Sequence, residues 1–151
     1  MSSFSIALAD VCGAHDALRP PNRMPVSVGA AANLFIKRPG GAAGFWNPRE
    51  TAYMVEPMDM LASRVRRGVV FVGPAQSGKT VALGEGWLAH AVVNDPGDML
   101  IVQMTQDKAR EYSKQRIDRM MRHSPSLLAL RGPSSKDATI HDRLFLATSR
   151  V

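Results

Sequence analysis

Gly73-Pro74-Ala75-Gln76-Ser77-Gly78-Lys79-Thr80 follow the pattern G-x-x-x-x-G-K-T. These residue types at this spacing suit one task, the gripping of a nucleotide's phosphates. Gly73 and Gly78 permit a tight backbone path along which successive N–H groups wrap phosphate oxygens. Lys79 places a cation against the β- and γ-phosphates and is the catalytic candidate, while the Thr80 hydroxyl is a ligand for Mg²⁺. The ligands this pattern predicts are therefore ATP and Mg²⁺, held along Gly73, Pro74, Ala75, Gln76, Ser77, Gly78, Lys79 and Thr80. The plain alternative is an ordinary glycine-rich turn in a βα unit.

Such a loop works only between a strand and a helix, and the flanking sequence supplies both signals. Gly68-Val69-Val70-Phe71-Val72 is a β-branched and aromatic run that reads as a buried strand. Residues 79–93 carry Val81, Ala82, Leu83, Trp87, Leu88, Ala91 and Val92 at helical intervals, so a helix N-terminus faces the phosphates with its dipole and free N–H groups. After the turn at 94–98, Met99-Leu100-Ile101-Val102-Gln103-Met104 reads as a second buried strand. Thr105 or Gln106 then caps a helix to about His123, with Ala109, Tyr112, Ile117, Met120 and Met121 inward. Pro125 begins a short segment through Leu130, 131–136 is a loop, and 143–147 is a third strand candidate. The β-α-β-α-β order implies an α/β fold with an open parallel sheet and right-handed crossovers. A sheet of three strands is incomplete, because it leaves an unpaired edge.

Upstream, residues 1–44 read as an irregular arm interrupted by Pro20, Pro21, Pro25, Pro39 and several glycines, with a helical turn near Phe4 to Val11. Order is expected from Phe45-Trp46 onward, which makes 45–151 the main domain. Residues 50–66 read as a helix with Tyr53, Met54, Met58, Leu61 and Val65 inward, kinked or split at Pro57.

Composition sets outer limits. The chain has 151 residues, 45% of them hydrophobic, which is enough for one domain with a core. A formal charge of +6 suits a polyanionic partner, although small basic proteins without one are common. Cys12 is the single cysteine, so no internal disulfide forms. No apolar run approaches a membrane span, and no charged n-region precedes an apolar h-region, which reads as a cytoplasmic protein without a membrane partner. His15, His90, His123 and His141 show no metal spacing with Cys12.

Hydrolysis needs more than the loop. An acidic residue at the end of a later strand holds Mg²⁺, and a glutamate or glutamine orients the attacking water. No apolar run after the loop ends directly in Asp or Glu. Asp107 follows 99–104 only after Thr105-Gln106 and reads as a first-turn residue favouring the helix dipole. Whether the chain is an enzyme thus stays open: it is a fragment of a longer ATPase, or it binds nucleotide without turnover.

From Phe45 to Gly132 the sequence resembles the large terminase subunit of tailed phages, in the lambda-like GpA branch. The resemblance rests on residues 52–59 as the helix before the loop and on the Ala75-Gln76-Ser77-Gly78-Lys79-Thr80 form of the loop. It rests also on Asp95-Pro96-Gly97-Asp98 entering the second strand, the helix 105–119, and Ser124-Pro125-Ser126-Leu127. It implies a P-loop NTPase of the RecA/ASCE-like kind, of which this chain holds the N-terminal ATPase portion without the family's nuclease domain. The implied function is ATP-dependent DNA translocation, with double-stranded DNA, the terminase small subunit and the portal protein as partners. The full-length protein is a candidate homo-oligomer in the host cytoplasm. It also implies that an aromatic before the loop holds adenine; Phe45, Trp46 and Tyr53 are the candidates, against a packing role in the core. Many relatives carry an arginine inside the loop where this chain has Ala75 and Gln76. Arg64, Arg66 and Arg67 lie just upstream, as substitutes or as solvated charges at a helix end. Lys108, Arg110, Lys114, Arg116, Arg119 and Arg122 outnumber Asp107, Glu111 and Asp118 along the second helix, either to meet DNA phosphates or as a solvated face. Other readings are a helicase-like translocase, a small-molecule kinase and a truncated, non-catalytic prophage product.

Overall fold

The computed structural model describes residues 23–37, 41, 43–132 and 145. The expected helical turn near Phe4, Cys12, His15, His141 and all of the third strand candidate except Phe145 fall outside them. Phe145 itself makes an isolated antiparallel bridge to Arg131.

Order does not begin at Phe45. Helix α1, Val26–Asn33, lies within the expected arm and at the centre of the core, where Val26, Ala30 and the following Leu34 are wholly buried. Ala30-Ala31-Ala32 favour a helix, and the small side chains let neighbouring helices approach closely. No side chain at Pro25 caps its start. Instead the free N–H of Ser27 donates to Asp59 Oδ1 at 2.9 Å, which sets a carboxylate against the positive end of the helix. Strands β1 (Phe35–Lys37) and β2 (Ala43–Phe45) then pair antiparallel, with Phe35 opposite Phe45. Their rings meet edge to face, 5.4 Å between centroids. The Phe35 N–H donates to the buried Ser124 Oγ at 3.0 Å, which fixes this hairpin to a residue 89 positions further along the chain.

The expected helix over 50–66 is shorter. A 3₁₀ turn, Ala52–Met54, leads into α2, Val55–Met60. Pro57 sits in the first turn of α2, where a helix has no use for the missing N–H, and so it does not kink the helix. Met54 and Met58 are wholly buried, but Tyr53 and Val65 face solvent. Residues 61–67 form turns.

From Thr80 the chain is helical to Asn94. Its first part, Thr80–Gly86, is wound as a π-helix, and α3, Trp87–Asn94, continues it. Ala82, Leu88, Ala91 and Val92 point inward as expected, whereas Trp87 is partly exposed. The second long helix also forms. Thr105 Oγ1 accepts from the Lys108 N–H and caps α4, Gln106–Tyr112. A π-helical stretch, Ser113–Ile117, and α5, Asp118–His123, follow. Pro125 opens α6, Pro125–Ala129, at the first helical position, where proline fits.

The parallel sheet is the main departure. Among the described residues the only sheet is the β1–β2 hairpin. Residues 68–72 and 99–104 have no strand pairing. They are not fully buried either. Phe71, Met99 and Ile101 pack on the core, while Val70, Val72, Leu100, Val102 and Met104 stand in solvent. Alternation with a period of two is what an extended chain gives. A ladder also needs a neighbouring strand to take up the free N–H and C=O groups, and no described segment lies in that position.

Helix α1 meets α3 at Gly29. A Cβ there would fall inside contact distance of His90 Nδ1 and 2.9 Å from Asn94 Nδ2. Both polar atoms are buried without a hydrogen-bond partner. Burial disfavours the charged imidazole and lowers the pKa of His90 below its usual 6.5, with Asp95 and Asp59 pulling the other way. As pH falls, the unfolded chain takes up this proton first. The contribution of His90 is therefore intact above pH 6.5 and is lost as pH drops toward the lower folded value. Between about pH 7 and pH 5 the melting midpoint of the parent is expected to fall relative to that of His90→Gln, which lacks this contribution. A difference between the two that stays constant with pH would assign any fall to other groups.

Candidate phosphate-binding site

The segment Gly73–Thr80 runs from the unpaired 68–72 stretch to the start of the long helix. Two of its residues have left-handed backbone: Gln76 at φ 60° and Gly78 at φ 76°. Glycine adopts this freely, but glutamine does so at a cost of about 1–2 kcal/mol. Positive φ at alternate positions curls successive N–H groups toward one concave side, which is the geometry of an anion nest. Among the described residues the N–H groups of Ala75, Gln76, Gly78, Lys79 and Thr80 donate to no other protein group, while the turn at Ala75-Gln76 brings the Ser77 N–H toward the Pro74 carbonyl. The first helical turn of the long helix, Ala82 N–H to Gly78 carbonyl, closes at 2.9 Å behind them.

Lys79 curls back over the loop. Its Nζ donates to the Gly73 carbonyl at 2.9 Å and to the Pro74 carbonyl at 3.1 Å. Ser77 Oγ donates to the same Pro74 carbonyl at 3.0 Å. The ammonium thus sits at the loop's mouth, held by neutral acceptors alone. Thr80 is exposed at the helix start, where its hydroxyl fits a hard cation that prefers oxygen ligands.

Of the aromatic candidates, Trp46 is buried in the core, and Phe45 packs on Phe35. Only Tyr53 reaches the loop: its hydroxyl donates to the Ser77 carbonyl at 2.8 Å. Arg64, Arg66 and Arg67 are all exposed on the turns before residue 68. Asp107 lies exposed in the first turn of α4, as its dipole reading expects. No group of metal-ligating side chains occurs among the described residues, and none of their helices is long and apolar enough to cross a membrane.

The basic helix is only partly free. Lys108 pairs with Glu111 at 2.7 Å, Arg119 donates to the Lys37 carbonyl, and Arg122 donates to the Asp118 carbonyl. Arg116 lies 3.5 Å from Glu85, which is buried on the loop helix and makes no hydrogen bond through that oxygen. Sequence reading missed Glu85, although Ala82, Glu85, Ala89 and Val92 share one helical face.

Burial raises the pKa of the Glu85 carboxyl above its usual 4.5, against the pull of Arg116 and Arg119. The folded state holds this proton more tightly than the unfolded chain. Glu85 therefore favours folding below pH 4.5 and opposes it as pH rises through the folded value. Glu85→Gln is expected to raise stability at pH 8 by on the order of 1 kcal/mol, because the amide avoids burying a carboxylate and the half-exposed Arg116 keeps its water. Urea denaturation at pH 5 and pH 8 checks this; a lower midpoint in the variant at pH 8 would mean that the pair is net stabilising.

The site is thus a curled, amide-lined turn at a helix N-terminus with one ammonium across its mouth. The family model for the phage terminase large subunit gpA ATPase domain matches residues 40–149. The chain belongs to that family and is an ATP-binding portion of the phage DNA-packaging motor. Neither the curated proteins nor the solved structures contain a match.

Proposed function

We propose that residues 73–80 are the phosphate-binding loop of this ATPase domain, a Walker A motif that holds ATP for DNA translocation. The observation that carries the reading is the set of unused N–H groups at Ala75, Gln76, Gly78, Lys79 and Thr80 on a turn with positive φ at Gln76 and Gly78. Backbone donors left free at a helix N-terminus are complementary to phosphate oxygens. In this reading Lys79 leaves the Gly73 and Pro74 carbonyls and meets the β- and γ-phosphates as the catalytic cation. The acceptors it gives up are neutral carbonyls, and those it gains are anionic phosphate oxygens, so each new contact adds the attraction of an opposite charge. Gly73, Pro74, Ala75, Gln76, Ser77 and Gly78 supply the wrap. Thr80 holds Mg²⁺, which supplies charge neutralisation between the phosphates when bound.

Residues 68–72 and 99–104 are strands of a RecA-like parallel sheet once neighbouring strands stand beside them. Their one-sided burial supports this. Double-stranded DNA is the translocated substrate, and the exposed Arg110 and Lys114 on α4 and its continuation are contacts for its phosphates. The terminase small subunit and the portal protein are the remaining partners, in the host cytoplasm.

A fluorescent ATP analogue titrated into the 151-residue chain with Mg²⁺ tests this reading. Saturable binding, displaced by ATP and weakened by removing Mg²⁺, is the expected result. A flat titration of folded protein would contradict it.

A further inference from the structure

The Ser77–Gly78 peptide is the weak point of the loop. Glycine populates both signs of φ at little cost, so the peptide beside Gly78 can rotate more cheaply than its neighbours. That rotation matters, because a trans peptide is planar and its N–H points opposite to its C=O. If the Ser77 carbonyl turns inward, the Gly78 N–H turns out, and an anion meets an acceptor where it needs a donor.

One side chain from outside the loop holds this peptide. Tyr53, 24 residues upstream, donates its hydroxyl to the Ser77 carbonyl at 2.8 Å. Its neighbour Met54 is wholly buried, which anchors the 3₁₀ turn to the core. Thr51 lies nearby, with its methyl 4.0 Å from where a Cβ on Gly78 would stand. The turn therefore lies along the loop at Ser77–Gly78. The Tyr53 ring itself remains largely in solvent, 58% exposed.

We infer that Tyr53 is a positioning residue: by holding the Ser77 carbonyl, its hydroxyl keeps the Gly78 N–H directed at the phosphate chain of the ligand. This rests on the phosphate-loop reading and assigns the Tyr53 hydroxyl a role that is independent of the nucleotide base. The ligand feature it controls is the polyphosphate, whatever base is attached.

Calorimetric titration of the full chain with ATP, GTP and inorganic triphosphate, each with Mg²⁺, tests it in the parent and in Tyr53→Phe. The ring is exposed and Phe keeps it, so the ligand-free melting temperature is expected to stay the same. Loss of one exposed hydrogen bond predicts a Kd about three- to tenfold higher, by the same factor for all three ligands. In labelled protein the Gly78 amide resonance should also move in the unliganded variant, a change that a generally destabilised fold would spread over many residues. Unchanged affinities with an unmoved Gly78 amide would overturn the inference while leaving the loop reading intact. A loss confined to ATP and GTP would overturn it in favour of a base contact. A lower melting temperature with amide shifts spread through the core would make Tyr53 merely structural and overturn it too. Parent protein that binds none of the three would overturn both.

Discussion

Lys79→Ala is expected to weaken ATP binding by about a hundredfold or more while leaving the fold intact. Among the described residues the ammonium of the free protein meets the Gly73 and Pro74 carbonyls alone, and both acceptors can turn to water when the side chain is removed. Against a triphosphate the same group makes charge-assisted hydrogen bonds of about 1.5–3 kcal/mol each, and a hundredfold in affinity corresponds to about 2.8 kcal/mol. Calorimetry on parent and variant measures the difference directly. The ligand-free melting curve should move little, because none of the lost contacts lies in the core. A variant that bound ATP like the parent would leave the loop without its cation and defeat the catalytic assignment.

Gly29→Ala is expected to cost about 1–3 kcal/mol of folding stability, the usual price of overpacking a filled core. The added methyl would press on the His90 ring and lie 2.9 Å from Asn94 Nδ2, and both side chains are buried with little room to yield. The strain passes from α1 to α3, whose N-terminal continuation carries Lys79 and Thr80. Urea denaturation gives the size of the effect. A double-mutant cycle with His90→Ala should show a coupling of about 1 kcal/mol or more, since the two sites share one contact. Additive losses would mean that Gly29 serves something other than this approach.

Those two positions mark the range of what the amino-acid order discloses. Lys79 sits in a turn whose shape is legible because it is local: the glycines that permit its curl lie within eight consecutive residues. The helix after Thr105 is legible for the same reason, with its own cap, its own apolar period and a proline to open the next segment. Gly29 belongs to a helix that local reading misses. Val-Ser-Val-Gly-Ala-Ala-Ala-Asn has no polar face to set a period, and the acceptor at its start is Asp59, 32 residues away. Tyr53 shows a different limit. Its spacing with Met54 and Met58 suggests an inward ring, but its function depends on reaching Ser77 across a fold that no neighbouring residue encodes. The segments 68–72 and 99–104 declare an extended backbone through their β-branched composition. Their ladder partners cannot be read from their own residues, and strand pairing is non-local by nature. The π-helical winding of Thr80–Gly86 is likewise invisible in composition, because it shifts the hydrogen-bond register without changing which residues favour a helix.

The central claim is that the amides of Ala75 to Thr80 are the phosphate receptor. Amide-resolved NMR of the labelled chain, titrated with ATP and Mg²⁺, tests it most directly. The Ala75, Gln76, Ser77, Gly78, Lys79 and Thr80 resonances are expected to shift first and furthest, with α1 and α6 nearly still. Shifts that spare these six amides, or that gather on another face of the protein, would contradict it.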